Sequence, residues 1–183
     1  MLDRAGIQGV QIVPTQGFLS DHYNPTNKHL ALSPDVFRST SLAAIGVACH
    51  EAGHAIQHAQ GYAPLWLRSA LVPLAGIGSN LGYIVMFAGL ILQSQWTVMI
   101  GDGLFSAVLL FQIVTLPVEF DASARAKRLV TEYGIVSQDE RHGISAVLNA
   151  AAMTYVAAVI TSLLTILYYL MRSGILGGRS SDD

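Results

Sequence analysis

Charge is missing from three long stretches of this 183-residue chain. No Asp, Glu, Lys or Arg occurs in the 33 residues 69–101, the 16 residues 103–118 or the 29 residues 143–171. A helix needs about 20 predominantly apolar residues to cross a bilayer. Three spans follow, roughly Leu71–Leu92, Thr97–Val118 and Ala150–Leu170, the second weakened by Asp102 near its outer end. The first two form a hairpin turning over 93–97, with Trp96 suited to an interface. Gly76, Gly78, Ser79, Gly82 and Gly89 allow close helix packing in lipid. The bulk composition agrees, at 52% apolar and 12% charged, against about 25% charged in an average soluble domain. Three buried core helices of a soluble protein would leave too few polar residues to cover them. A net charge of −2 provides no basic field for a nucleic acid. A single cysteine, Cys49, excludes an internal disulfide and a cysteine-rich zinc ribbon.

Residues 1–67 have a different texture. Short apolar runs at 10–13 and 29–32 are closed by Pro14 and by Ser33-Pro34, and predict a small two- or three-stranded sheet. Asp21, Tyr23, Asn24, Pro25 and Asn27 between them read as turn chemistry. Pro34 suits the first turn of a short helix. A longer helix is expected from Thr40 or Ser41, either of which can cap it, to about Gln60, with Gly61 and Pro64 as its stop. Residues 119–145 form a polar helical stretch between the second and third spans, broken at Tyr133-Gly134.

The longer helix carries His50-Glu51-Ala52-Gly53-His54, which is H-E-x-x-H. Histidines four apart share one helix face and can reach one zinc ion at about 2.0–2.1 Å. Glu51 lies about 100° around the helix, where it can take the proton of a metal-activated water. In a random chain of this length the three residues would co-occur on the order of once in a hundred.

Zinc needs a third protein ligand. The candidates are His22, His29, His58, His142 and the carboxylates, and Glu119 stands out. It ends the second span, where a carboxylate is costly unless paired or bound, and Pro117 can bend that helix to aim it. His58 continues the His50–His54 face but lies about 12 Å along the helix from His50, too far to share one ion. Asp121 has the right chemistry, but it is shorter by one methylene and faces away from Glu119. Cys49 reads as a small buried hydrophobe. His22 and Tyr23 suit either a cleft edge or ordinary turn packing. Arg125, His142, Asn149 and Tyr155 are candidates to stabilise a tetrahedral oxyanion.

These residues resemble the bacterial neutral zinc metallopeptidase family of membrane proteins, the YugP-like group. The resemblance is carried by Asp21-His22-Tyr23, by residues 43–57 through the H-E-x-x-H, by Gly61-Tyr62-Ala63-Pro64, by Leu116 to Ser123, and by segments 147–151 and 154–158. More distantly, the chain is similar to heat-shock membrane proteases and prenyl-protein endopeptidases, gluzincins with a glutamate third ligand. The resemblance therefore implies Zn²⁺ held by His50, His54 and Glu119, with Glu51 as general base. In the distant relatives an aspartate four residues after the ligand glutamate supports a zinc histidine, whereas this chain has Ser123 there. Members of the group usually begin with another membrane helix, which the resemblance puts ahead of residue 1.

The expectation is a mainly α integral membrane protein of about three transmembrane helices with a small N-terminal α+β element. Its segments are a cytoplasmic region over residues 1–67 bearing the H-E-x-x-H helix, a hairpin 68–118, a polar helical segment 119–145 with the third ligand, a membrane helix 146–172 and a tail 173–183. The expected activity is a zinc-dependent membrane endopeptidase acting on protein or peptide substrates in contact with the lipid bilayer, with oligomers allowed. The rival is a catalytically idle zinc-containing membrane adaptor or chaperone. An intact Glu51 weighs against it, because structural zinc sites have four protein ligands and no base. If His50, His54 and Glu119 share a side, that side holds eight of the ten basic residues and the other only Arg172 and Arg179. The positive-inside rule then puts the site in the cytoplasm of a multi-pass cell-membrane protein, and a free Cys49 suits a reducing compartment.

Overall fold

The computed structural model describes residues 1–17 and 19–175. Arg179 and the end of the 173–183 tail lie outside the described residues. The chain forms two compact units, 1–66 with 116–154, and 67–115 with 155–183.

The first unit opens with three strands, β1 (Gln11–Pro14), β2 (His22–Asn24) and β3 (His29–Leu32). Their order is β1-β3-β2, with β1 parallel and β2 antiparallel to β3. Pro14 is tolerated because β1 is an edge. The stretch read as turn chemistry is only partly so, since β2 occupies 22–24. Asp21 explains the difference: its carboxylate accepts from the Ser33 backbone N–H at 2.7 Å and hydroxyl at 3.0 Å, tying the start of β2 to the end of β3. The remaining turn is closed by Asn24 and Asn27, whose side-chain oxygens accept from the backbone N–H of Thr26 and His29. Pro34 opens the short helix α1 (Pro34–Phe37).

Helix α2 (Leu42–Ala59) begins where Ser41 caps it, its hydroxyl accepting from the Ala44 N–H at 3.2 Å. It ends at Gly61, whose φ of 64° suits a residue without a β-carbon. One side of α2 meets the sheet, with Ala52 against Leu30 and Leu32. Another joins Cys49 to Ala126, Val130, Val136, Ile144 and Leu148. Those partners lie on α5 (Gln95–Glu132), on α6 (Arg141–Arg172) and in the loop between them. Helix α5 stops at the expected Tyr133-Gly134 break, with Gly134 at φ 61°.

The second unit contains most of α3 (Ala63–Ile77), a π-helical turn at Gly78–Gly82 and α4 (Tyr83–Ile91), with the first part of α5 and the end of α6. Helix α3 starts earlier than the expected Leu71, because Pro64 falls in its first turn rather than ending what precedes it. The turn into α5 is short, with Gln93 at φ 51°. A β-carbon on Gly82 would stand 2.9 Å from the Phe105 nitrogen, and one on Gly89 2.7 Å from the Val98 nitrogen. These glycines let the hairpin backbones touch, whereas Gly76, expected to do the same, faces open space. Ala63–Ile91, Gln95–Glu132 and Arg141–Arg172 are each long and apolar enough to cross a membrane. Their outward residues include Ile84, Phe87, Ile91, Ile100, Leu110 and Leu164.

Candidate metal centre

In the first unit, α5 presents a buried stripe of Val118, Glu119, Ala122, Ser123, Ala126, Leu129 and Val130. Ala122 and Ala126 are small, and Gly53 of α2 sits directly over the Ala122 backbone. This close approach brings the histidine face of α2 to Glu119, which is only 1% exposed.

Oε2 of Glu119 lies 3.0 Å from Nε2 of His50 and 3.7 Å from Nε2 of His54. Ligand atoms of the three residues fall within 4.8 Å of one another, the one such group of His, Cys, Asp and Glu among the described residues. The vertices of a tetrahedron with bonds of 2.0–2.1 Å are about 3.3 Å apart. Imidazole Nε2 atoms and a carboxylate oxygen converging at this spacing need a proton or a metal cation between them. The donor set therefore fits zinc.

Each histidine is held by its other nitrogen. Nδ1 of His50 is 3.1 Å from the Ser123 hydroxyl, so the serine that replaces the relatives' aspartate still reaches the ring. Nδ1 of His54 is 2.9 Å from Oε1 of Gln57. Burial lowers the pKa of His54, but hydrogen bonding and charge from Glu119, with help from Glu51 and Gln57, outweigh it and hold the imidazole above its ordinary value. Glu51 is buried to 8% exposure beside this pair.

The other sequence candidates lie elsewhere. His58 accepts from or donates to the Tyr23 hydroxyl at 2.8 Å through Nδ1, and burial raises the Tyr23 pKa. His22 is exposed, with Nδ1 2.8 Å from the Ser20 carbonyl. Asp121 takes the Arg125 Nε–H at 2.5 Å instead of joining the ligands. Arg125 also donates to Gln60 Oε1 at 2.5 Å and lies over the Tyr62 ring, so its guanidinium is already engaged. Asn149 accepts from Lys127, and His142 is exposed. Cys49 is buried and its thiol is pushed up to about 11 by desolvation, which makes it inert. The site also uses residues that motif reading passes over. Gln57 had one signal, a glutamine three residues after His54 on the same helix face as both histidines, and Gly53 had none.

Residues 1–174 match the family described as "Putative neutral zinc metallopeptidase". The chain belongs to that family. Over 171 residues it is also 42% identical to a Bacillus subtilis (strain 168) protein named "Putative membrane protease YugP", covering 93% of this chain and 76% of that one. No solved structure matches it. In this member of the neutral zinc metallopeptidase family, the H-E-x-x-H histidines and the α5 glutamate are the residues that meet in space.

Proposed function

We propose that the protein is a zinc-dependent endopeptidase of the membrane that hydrolyses peptide bonds, with Glu51 as general base and His50, His54 and Glu119 as metal ligands. The observation that carries this reading is the convergence, among the described residues, of three ligand residues beside a buried fourth side chain, Glu51. Three protein ligands leave one coordination position for chemistry, as catalytic zinc sites do. Bound zinc supplies Lewis acidity to a peptide carbonyl and a water molecule. The chain's own role is to hold and move protons. Ser123 and Gln57 orient the two imidazoles, Glu119 brings the negative charge, and Glu51 receives the proton of the attacking water and returns it to the leaving amine.

The three apolar helices support a multi-pass membrane protein, and the excess of basic residues on the metal side supports a cytoplasmic site. Protein or peptide substrates near the bilayer follow from that placement.

The test is Glu51→Gln in purified, protease-free protein. Zinc should stay close to one per chain while hydrolysis falls by about 10²–10⁴-fold. Activity near wild type would overturn the mechanism. Zinc binding with no hydrolysis of any peptide by either protein would favour the adaptor reading.

A further inference from the structure

Gln57 is fully buried, with no exposed surface. Its amide nitrogen donates twice, to the Val118 carbonyl at 2.8 Å and to Oδ2 of Asp121 at 2.8 Å. Both partners can only accept. The amide therefore has one orientation, because turning it over would set Oε1 against two oxygens. Oε1 must then face Nδ1 of His54, at 2.9 Å. An acceptor there requires Nδ1 to carry a hydrogen, and a neutral imidazole has only one. The lone pair is thus left on Nε2, the atom facing Glu119.

We propose that Asp121 and Gln57 form a directional hydrogen-bond relay that holds His54 in the Nδ1–H tautomer, which makes both of them positioning residues for the metal. Arg125 anchors the outer end, donating from Nε to the same Asp121 oxygen at 2.5 Å. Every link has fixed polarity: guanidinium N–H to carboxylate, amide N–H to carboxylate, imidazole N–H to amide oxygen. The contrast with His50 is chemical. Its partner is the Ser123 hydroxyl at 3.1 Å, which can donate or accept and so imposes no tautomer. An aspartate two residues after the ligand glutamate thus reaches a zinc histidine through an intervening glutamine. The relay rests on the metal site proposed above, and it does not depend on hydrolysis.

The experiment uses the full chain in detergent with ¹⁵N-labelled histidine, metal-free, at a pH where imidazoles are neutral. His54 is assigned by its loss in His54→Asn. The wild-type spectrum should show His54 as the Nδ1–H tautomer. Gln57→Leu should show a mixture of tautomers, with zinc affinity, measured by competition with a chelator, weakened by about 10–100-fold, and Asp121→Leu, in which only the Val118 carbonyl still holds the amide, should move part of the way in both readouts. Asp121→Asn keeps an acceptor oxygen and should stay near wild type in both readouts. If Gln57→Leu fails to fold, Asp121→Leu asks the same question with the glutamine in place. A His54 that keeps pure Nδ1–H in the folded leucine variants, or that is not Nδ1–H in the wild type, would overturn the relay. Because the tautomer is read without metal, failure of the zinc site and failure of the relay give different results.

Discussion

A β-carbon built on Gly53 would stand 2.7 Å from the carbonyl oxygen of Ala122. The second variable position of the H-E-x-x-H is therefore where two helix backbones meet, and the separation of His50 and His54 from Glu119 is set there. Gly53→Ala should push α2 off α5, at a cost of about 1–3 kcal/mol for overpacking. Thermal unfolding in detergent should show the loss, and chelator competition should show weaker zinc binding. Unchanged zinc affinity would mean that the helices can separate without opening the ligand set.

Glu119→Ala should lose most of its zinc at neutral pH, whereas His58→Ala should keep it, because His58 is hydrogen-bonded to Tyr23 rather than to the ligand group. Metal content by mass spectrometry on folded protein decides the matter. Stoichiometric zinc in Glu119→Ala with loss in His58→Ala would reverse the assignment.

The orientation can be read with one thiol. Cys49 is buried, and burial pushes its thiol up to about 11, so the wild-type chain should be a silent background. Ala59, exposed at the end of α2, is a better reporter than Gly61, whose φ of 64° would strain any side chain. Ala59→Cys should resist a membrane-impermeant maleimide in intact cells and react once they are permeabilised. Labelling in intact cells would place the metal side outside.

The pH dependence of the α6 start has a definite sign. Oε2 of Glu140 accepts from the Ser137 backbone N–H and hydroxyl, both at 2.9 Å, and Ser137 Oγ accepts in return from the Glu140 N–H at 3.3 Å. This reciprocal capping box holds the Glu140 carboxyl below its ordinary pKa. A carboxyl lowered by folding contributes stability above its unfolded pKa and loses it as pH falls through the folded value. Glu140→Ala should therefore melt slightly lower than wild type at pH 7, with the gap closing in acid below the carboxylate range. A gap that persisted in acid would exclude the charge-assisted cap.

Much of this architecture was legible because its signals are local. Charge-free runs announce helices long enough for a bilayer, and two histidines four apart announce a shared face before any partner is known. Glu119 was reachable too, since a carboxylate at the end of an apolar run must be satisfied by something. What escaped were pairings between distant elements. Ser123 looked like a lost aspartate until α5 lay beside α2, and β2 was hidden in turn-forming residues until Asp21 was seen to bind Ser33. The early start of α3 escaped for a different reason: Pro64 is compatible both with a stop and with a first turn, and only the following backbone decides.

The short turn between α4 and α5 bears on how the protein is made. With so little chain between them, the two apolar helices leave the ribosome almost together. Their glycine contacts match backbone to backbone at Gly82–Phe105 and Gly89–Val98, so they can be released into lipid as a preassembled pair. That order matters for Asp102, which is 5% exposed in the folded unit. In a helix inserted alone, an aspartate costs up to about 2.5–3.5 kcal/mol at the translocon. On the proposed membrane placement, an α5 already seated against α4 would carry Asp102 into lipid as part of a packed pair rather than on a lone helix.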